Sequence, residues 1–383
     1  VSPFAGSDPA ANALLTIDLG ALVANWRTLA GQLAGGGQCA AVVKADAYGT
    51  GAARVGPALA AAGCRVFFVA QLAEAEALKP LLPEGCEVWV LGGPLPGTVE
   101  RFLAAGVAPV LNTPWQIALW RDEAPPGSPC ALHVDTGMSR LGLEPAELEA
   151  LLADASAPLA ALAPRHLISH LVSAEDPAAS VNRAQLELFD RLLAATRRVV
   201  PDIAGCLANS SGIFLGPKAH HALARPGVAL YGANPTPDQP NPMRPVVRLD
   251  AKILQVRHVD APRTVGYGAT HRVAGPTRLA TVGVGYADGY PRVLSSRAHG
   301  LVAGQVVPLV GRVSMDLATF DVTGVPAEAL VPGAPLTLLG GQDADGVAVP
   351  ETSLDHVAEQ AGTIAYEILT SLGRRYARRY IDP

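Results

Sequence analysis

Lys44 closes the apolar run "CAAVVK" (39–44), and "ADAYGTG" follows it directly. A lysine at the end of such a run is costly to bury unless it is paired or has work to do. Its amine becomes a nucleophile when its proton affinity falls or when it condenses with a carbonyl. Four later runs end on groups that could serve such a lysine. "CALHVD" leads into "DTGMSRLG" with Arg140. "RHLISH" ends at His170, and "AGCLAN" runs into "ANSSG" with Asn209 and Ser210. "ALARPG" carries Arg225 just before Gly227 and Val228.

Backbone amides and hydroxyls at "ANSSG" and around Gly227–Val228 can cradle a phosphate without a lysine. Lys44 can hold an aldehyde. Together they describe a pocket for pyridoxal phosphate. Arg225 is the unusual member, because a guanidinium is donor-only and keeps its charge. Facing a pyridine nitrogen, it would keep that nitrogen unprotonated, where many enzymes of this cofactor place an Asp. The ring is then a weaker electron sink, better suited to quick proton removal and return than to transamination. Taken singly, each residue has a plainer reading: a snorkelling lysine, a core histidine, paired arginines, ordinary turn chemistry. It is their recurrence at one end of successive runs that points to chemistry.

The elements that must position these residues are legible in the same pattern. Between about residues 14 and 240, eight short apolar runs alternate with amphipathic stretches such as "VNRAQLELFDRLLAATRRVV". The other runs are "RVFFVA" (65–70), "EVWVLG" (87–92) and "APVLN" (108–112). Strand–helix alternation implies parallel strands, and eight units predict a closed (β/α)8 barrel over an open doubly wound sheet. In a barrel, the loops after the strands carry function. Near residue 241 the texture changes at "PNPMRPVV", and short β-like runs separated by Gly and Pro follow. The expected division is therefore a barrel over 14–240 and a mainly β domain over 241–383. One last amphipathic helix is expected from about Ser353 to about Gly373.

Composition excludes several classes. The 383 residues are 49% hydrophobic and 16% charged, which suits two folded domains. A net charge of −5 gives no general attraction to nucleic acid or anionic membranes. The basic tail "RRYARRY" reads as a helix end. Five cysteines without a CxxC read as reduced core residues, with no metal site and a cytoplasmic location. No apolar run is long enough to span a membrane. No leader is visible, although the chain starts at Val1 without a methionine, so a removed leader stays open.

The chain resembles the alanine racemases over nearly its full length. The resemblance is carried by "VVKADAYGTG", "HVDTGMSRLG", "ANSSG", "RPGVALYG", "VGYGAT", "VGYADGYPR", "GRVSMD" and "AYEILTSLG" in that order. It implies a barrel plus a β domain, pyridoxal phosphate, and a homodimer whose two active sites are each built from both subunits. By matching position, Lys44 is the Schiff-base lysine and one catalytic base. Tyr267 is the opposite base, reaching in from the partner subunit. Arg225 matches the pyridine-nitrogen arginine and His170 the residue beside the ring. Tyr48, Ser210, Gly227, Val228 and Tyr366 match phosphate-end contacts, with Asn209 in the same turn. Arg140 orients cofactor and substrate carboxylate, Met315 and Asp316 form the substrate loop, and Tyr286 stands at the entrance. The implied reaction is interconversion of L-alanine and D-alanine, supplying D-alanine for peptidoglycan. Two bases are needed because inversion removes a proton from one face and returns it to the other. The resemblance further implies that Lys44 takes the proton from the D-substrate and Tyr267 from the L-substrate.

Two positions depart from the pattern. Many relatives carry a carbamylated lysine where this chain has His133, so water or an anion such as chloride is expected to orient Arg140. Cys206 stands where relatives often have a histidine, which leaves the support of Arg225 open. Three other readings compete: a racemase of broader specificity (serine and others), a non-catalytic pyridoxal phosphate carrier, and a barrel decarboxylase. The β domain with "VGYGAT" and "GRVSMD" argues against a carrier, and Arg225 against a decarboxylase. Bulky Tyr286 and Tyr366 favour a small substrate.

Overall fold

The computed structural model describes residues 3–154, 159–343 and 345–383. The chain divides into two compact units, Val23–Leu230 with Asn234–Met243, and Val1–Leu22 with Tyr231–Ala233 and Arg244–Pro383.

In the first unit the apolar runs form parallel strands. Ala41–Val42, Val66–Val69, Glu87–Val90, Ala108–Leu111, Cys130–His133, Pro164–Ile168 and Ala204–Cys206 follow one another in a single sheet. Phe67, Phe68, Val110, Leu111 and Leu132 are fully buried, as expected of a parallel sheet covered on both faces. The ring closes through the first run, which is split at Ala40. Gln38–Cys39 pairs in parallel with Leu223–Ala224, while Ala41–Val42 pairs with Val66–Val69. The seventh and eighth runs are joined by Ala222 N–H on the Gly205 carbonyl at 3.1 Å and Arg225 N–H on the Ala208 carbonyl at 2.8 Å. Among the described residues these are the eight strands of a (β/α)8 barrel, and Lys44, His170, Asn209 and Arg225 all lie at or just beyond strand ends.

The second unit is built on the long strand Val247–Val259. Its first half pairs antiparallel with Ala13–Asp18 and Pro335–Leu339, and its second half with Thr277–Val282. Ala13–Asp18 in turn pairs in parallel with Ala377–Ile381, so the basic tail expected to be a helix end is instead an edge strand of this sheet. The division expected at 14–240 gives Ala13–Asp18 to the barrel; the structure places it in the β unit's sheet, with Leu14, Leu15 and Ile17 in that core. A hairpin, Arg263–Val265 with His271–Val273, carries Tyr267 at its tip. Val259, Val265, Val273, Leu279 and Val310 pack together as its base.

The single helix expected over Ser353–Gly373 is two, Leu354–Gln360 and Ala365–Ser371. Ser353 caps the first as expected, accepting from His356 N–H. Gly362 then stops it at φ +66, with Gly362 N–H on the Glu359 carbonyl and Thr363 N–H on the Ala358 carbonyl. That pair of bonds and a left-handed glycine form a Schellman cap.

Candidate active site

Lys44 opens an unusual piece of backbone. Ala45, Asp46, Ala47 and Tyr48 all have φ of +53 to +54. They make one left-handed helical turn, with Ala47 N–H on the Val43 carbonyl at 2.9 Å and Gly49 N–H on the Ala45 carbonyl at 2.8 Å. For residues with a Cβ this conformation costs roughly 1–2 kcal/mol each. Side-chain carboxylates offset it. Asp46 Oδ1 accepts from Ala52 N–H at 2.7 Å, and Glu74 Oε1 accepts from Ala45 N–H at 2.6 Å. Gly49 and Gly51, also at positive φ, let the chain leave the turn.

The turn puts buried Tyr48 against Gly227. A Cβ on Gly227 would lie 2.3 Å from the Tyr48 hydroxyl, which is why a glycine stands there. Ser210 ties the same loop down, its Oγ accepting from Gly227 N–H at 3.0 Å and Ala229 N–H at 3.3 Å. Its own hydroxyl proton stays available to a further acceptor. Asn209 serves the turn itself, accepting from Gly212 N–H and donating to the Leu171 carbonyl.

Arg225 is buried, and three acceptors hold its fork. Nη1 donates to the Cys206 carbonyl at 2.7 Å and Sγ at 2.8 Å, and Nη2 donates to the Ser169 carbonyl at 2.5 Å. Its guanidinium also lies over the Phe68 ring, 5.8 Å from the centroid. The support left open by sequence therefore comes from Cys206 and the Ser169 carbonyl.

Burial and the cations Arg225 and Arg140 together set the electrostatics of the mouth. Burial, then Arg225, Arg140 and Lys44, push the His170 imidazole down to about 3. Burial, then Arg225 and more weakly Arg140, push His133 down to about 4 against the pull of Asp135. Both rings are neutral at neutral pH. Lys44 is lowered as well, by burial first, then Arg140, with Arg225 adding and Glu74 opposing. Its amine thus gives up a proton more readily than an ordinary lysine, as a base must. Arg140 is carried by an exposed loop, which Asp135 organises by accepting from Gly137 and Met138 N–H, both at 2.7 Å. Burial alone would raise the Asp135 carboxyl, but those bonds and further ones from Ser139 and Arg140 N–H bring it below its usual range.

The structure also fixes His133. Asn112 Nδ2 donates to the Leu91 and Val110 carbonyls, so its Oδ1 must accept from His133 Nδ1 at 2.8 Å. His133 then carries its proton on Nδ1 and keeps Nε2 as a bare acceptor. A neutral ring in this tautomer has no second N–H to offer an anion, which favours water of the two expectations for Arg140.

Lys44, Tyr48, Arg140, His170, Asn209, Ser210, Arg225, Gly227 and Val228 all belong to the barrel unit. Tyr267, Tyr286, Met315, Asp316 and Tyr366 belong to the β unit and are exposed. Tyr267 is 69% exposed. Tyr286 N–H bonds the Ser314 carbonyl and Ala287 N–H that of Met315, so those two loops are one piece of surface. Arg375 fixes it, bridging Asp316 and buried Asp288 at 2.8 Å each. Sequence reading missed Glu74, Asn112 and Asp135. A hint of Glu74 lay in the capping spacing of Gln71 and Glu74.

Tyr48 and Ser210 come together at Gly227, and buried Arg225 lies near an amine of lowered proton affinity. This donor set fits pyridoxal phosphate, and barrel enzymes of that cofactor are the class that fold and mouth define. Comparison with known proteins narrows it. The family models "Alanine racemase, N-terminal domain" and "Alanine racemase, C-terminal domain" match residues 17–235 and 246–380. The chain is 52% identical to the alanine racemase of Rhodospirillum rubrum, over 98% of this chain and 97% of that one. It is 44% identical to the biosynthetic alanine racemase of Agrobacterium fabrum, over 96% and 93% of the two chains. Among solved structures, the alanine racemase from Bartonella henselae with covalently bound pyridoxal phosphate superposes with a TM-score of 0.88. That match has 41% identity and covers 97% of this chain and 100% of that one.

The chain belongs to the alanine racemase family. It is a pyridoxal-phosphate-dependent isomerase that interconverts L-alanine and D-alanine. The carrier and decarboxylase readings lose their ground, since both halves of the racemase family are matched end to end.

Proposed function

We propose that Lys44 and Tyr267 are the two bases of the racemisation, Lys44 acting on the D-substrate proton and Tyr267 on the L-substrate proton. Pyridoxal phosphate, when bound, supplies the electron-poor ring that acidifies the substrate Cα–H. Arg225 holds an unprotonated nitrogen, and Tyr48, Asn209, Ser210, Gly227 and Val228 hold a phosphate, with Tyr366 contributing to that end. Arg140 takes the substrate carboxylate, and His170 stands beside the ring as a neutral imidazole. Met315 and Asp316 line the substrate side, and Tyr286 narrows the approach.

The observation that carries this reading is the contrast between the two bases. Burial first, and then the neighbouring Arg140, favour the neutral form of Lys44 in the barrel mouth. Tyr267 stands exposed at the tip of a hairpin on the β unit, a position suited to entering another subunit's mouth. On this reading the enzyme is a homodimer with shared active sites. Neither direction of reaction is favoured thermodynamically, because enantiomers have equal free energy. The curated relatives include both catabolic and biosynthetic alanine racemases. Supply of D-alanine for peptidoglycan in the cytoplasm is the role we assign. Among the described residues, no helix is long and apolar enough to cross a membrane.

The test is solvent-deuterium exchange at Cα with each enantiomer, using Tyr267→Phe and Lys44→Ala. Tyr267→Phe should lose racemisation, by about 10²-fold or more in kcat. It should keep exchange from D-alanine and lose it from L-alanine. The opposite pattern would reverse the assignment, and full activity in either variant would end it. Mixing the two inactive variants should restore about a quarter of the sites if each site draws on both subunits.

A further inference from the structure

Glu74 lies outside the set of residues assigned above, yet its carboxylate touches the backbone on which Lys44 stands. Oε1 accepts from Ala45 N–H at 2.6 Å, and Oε2 accepts from Ala70 N–H at 2.8 Å and Gln71 N–H at 3.0 Å. Ala70 and Gln71 follow the second barrel strand; Ala45 follows the first. One carboxylate therefore laces two neighbouring strand ends together at the mouth. We propose that Glu74 is a positioning residue for Lys44, clamping the first amide of the left-handed turn and so fixing the direction from which the amine enters the mouth.

The geometry demands an external clamp. Ala45 is the first residue at positive φ after Lys44, and nothing in its own side chain stabilises that state. Its N–H points away from the turn's internal bonds and ends on Glu74. Without that acceptor, the amide loses a charge-assisted bond of the stronger kind. The turn can then relax toward right-handed backbone, swinging Lys44 and Tyr48 together. The plainer role for Glu74 is to cap its own helix, Leu72–Leu78, through the Gln71 bond. Capping requires only Oε2, so the Oε1 bond to a residue 29 positions away is what the plainer role leaves unexplained.

A second consequence is electrostatic. Lys44 faces Arg140 from the loop after the fifth strand, Arg225 from the eighth, neutral His170 from the sixth, and Glu74. Glu74 is the one anion among these groups and opposes the fall in the amine's proton affinity. Removing its charge should make Lys44 easier still to deprotonate.

The proposal rests on Lys44 being a base. The experiment compares holoenzyme carrying Glu74→Gln, Glu74→Asp and Lys44→Ala by hydrogen exchange and by pH–rate profiles in both directions. Glu74→Gln should speed amide exchange in residues 45–51 tenfold or more, with kcat falling several-fold and KM little changed. The acid limb of kcat from D-alanine and the basic limb from L-alanine should both move to lower pH. Glu74→Asp, which keeps the charge, should leave both limbs in place. Unchanged exchange in 45–51 together with unmoved limbs would overturn the proposal, as would faster exchange confined to residues 70–78. An active Lys44→Ala would instead overturn the assignment of the base beneath it, whatever Glu74 does.

Discussion

Arg225 Nη1 donates twice to the same residue, to the carbonyl oxygen of Cys206 at 2.7 Å and to its sulfur at 2.8 Å. The sulfur thus stands in the ring of acceptors around a buried, permanently charged group. Burial raises the thiol and Arg225 pulls the other way, with a net upward shift, so the sulfur stays protonated.

Cys206→Ala should therefore weaken the enzyme without unmaking it. Two carbonyl acceptors remain on Arg225, while one acceptor and a small packed volume are lost. The expected cost is about 1–2 kcal/mol of stability and less than about tenfold in kcat. Thermal unfolding and steady-state kinetics measure the two. The native thiol should also resist alkylation at neutral pH until the protein unfolds, and rapid labelling of folded enzyme would contradict the burial argument.

His133, His166 and His170 give the fold a pH dependence of known sign. Burial is the first cause for all three, and they are pushed to about 4, about 4 and about 3 respectively. In the unfolded chain each titrates near about 6.5. Below that value the unfolded state binds protons that the folded state refuses. The stability they contribute is complete above about 6.5 and is lost as pH falls toward about 3–4, by up to ~1.4 kcal/mol per pH unit for each titrating ring. The melting temperature should drop steeply between these limits. His166 stacks edge-on against Trp89 and has an unpartnered buried Nδ1. His166→Phe should therefore flatten the slope by one proton's worth, and an unchanged slope would show that His166 does not contribute.

The His133 tautomer makes a separate prediction. With Nδ1–H on Asn112, the ring keeps a lone pair on Nε2 and has no second N–H to offer an anion. Replacing chloride by gluconate at constant ionic strength should change KM for alanine by less than about twofold. A KM that falls several-fold with chloride would mean that a bound halide orients Arg140. Nitrogen-15 spectra of the imidazoles should show His133 as the Nδ1–H form at pH 7.

The barrel was readable because fully buried parallel strands leave continuous apolar runs, such as "RVFFVA", that turn residues punctuate. Lys44, His170 and Arg225 could be picked out because each ends such a run. Other features depend on partners distant in sequence. "ALLTID" reads equally well as a barrel strand; its pairing with Val247–Val259 and Ala377–Ile381 decides otherwise. Gly362 sits inside an amphipathic pattern that would tolerate it, and the cap that uses it is set by backbone bonds. "ADAY" contains no glycine to announce a left-handed turn. Its handedness is held by Asp46 and by Glu74, whose carboxylate arrives from the next strand–helix loop.

Gly227 and Tyr48 provide the sharpest test of that turn. An alanine at 227 would place its Cβ 2.3 Å from the Tyr48 hydroxyl, 3.1 Å from Cζ and 3.5 Å from Val42 Cβ. Tyr48 cannot simply withdraw, since it is buried and its backbone is held at φ +54. Nor can the 227 loop, which Ser210 pins through Gly227 N–H. Gly227→Ala should destabilise by about 1–3 kcal/mol, as overpacking does, and should speed loss of the cofactor. Tyr48→Phe removes the atom that clashes hardest. In that background the same alanine should cost at most about half as much, a coupling that a double-mutant cycle resolves. Equal costs in both backgrounds would mean that the Tyr48 hydroxyl is not what keeps position 227 a glycine.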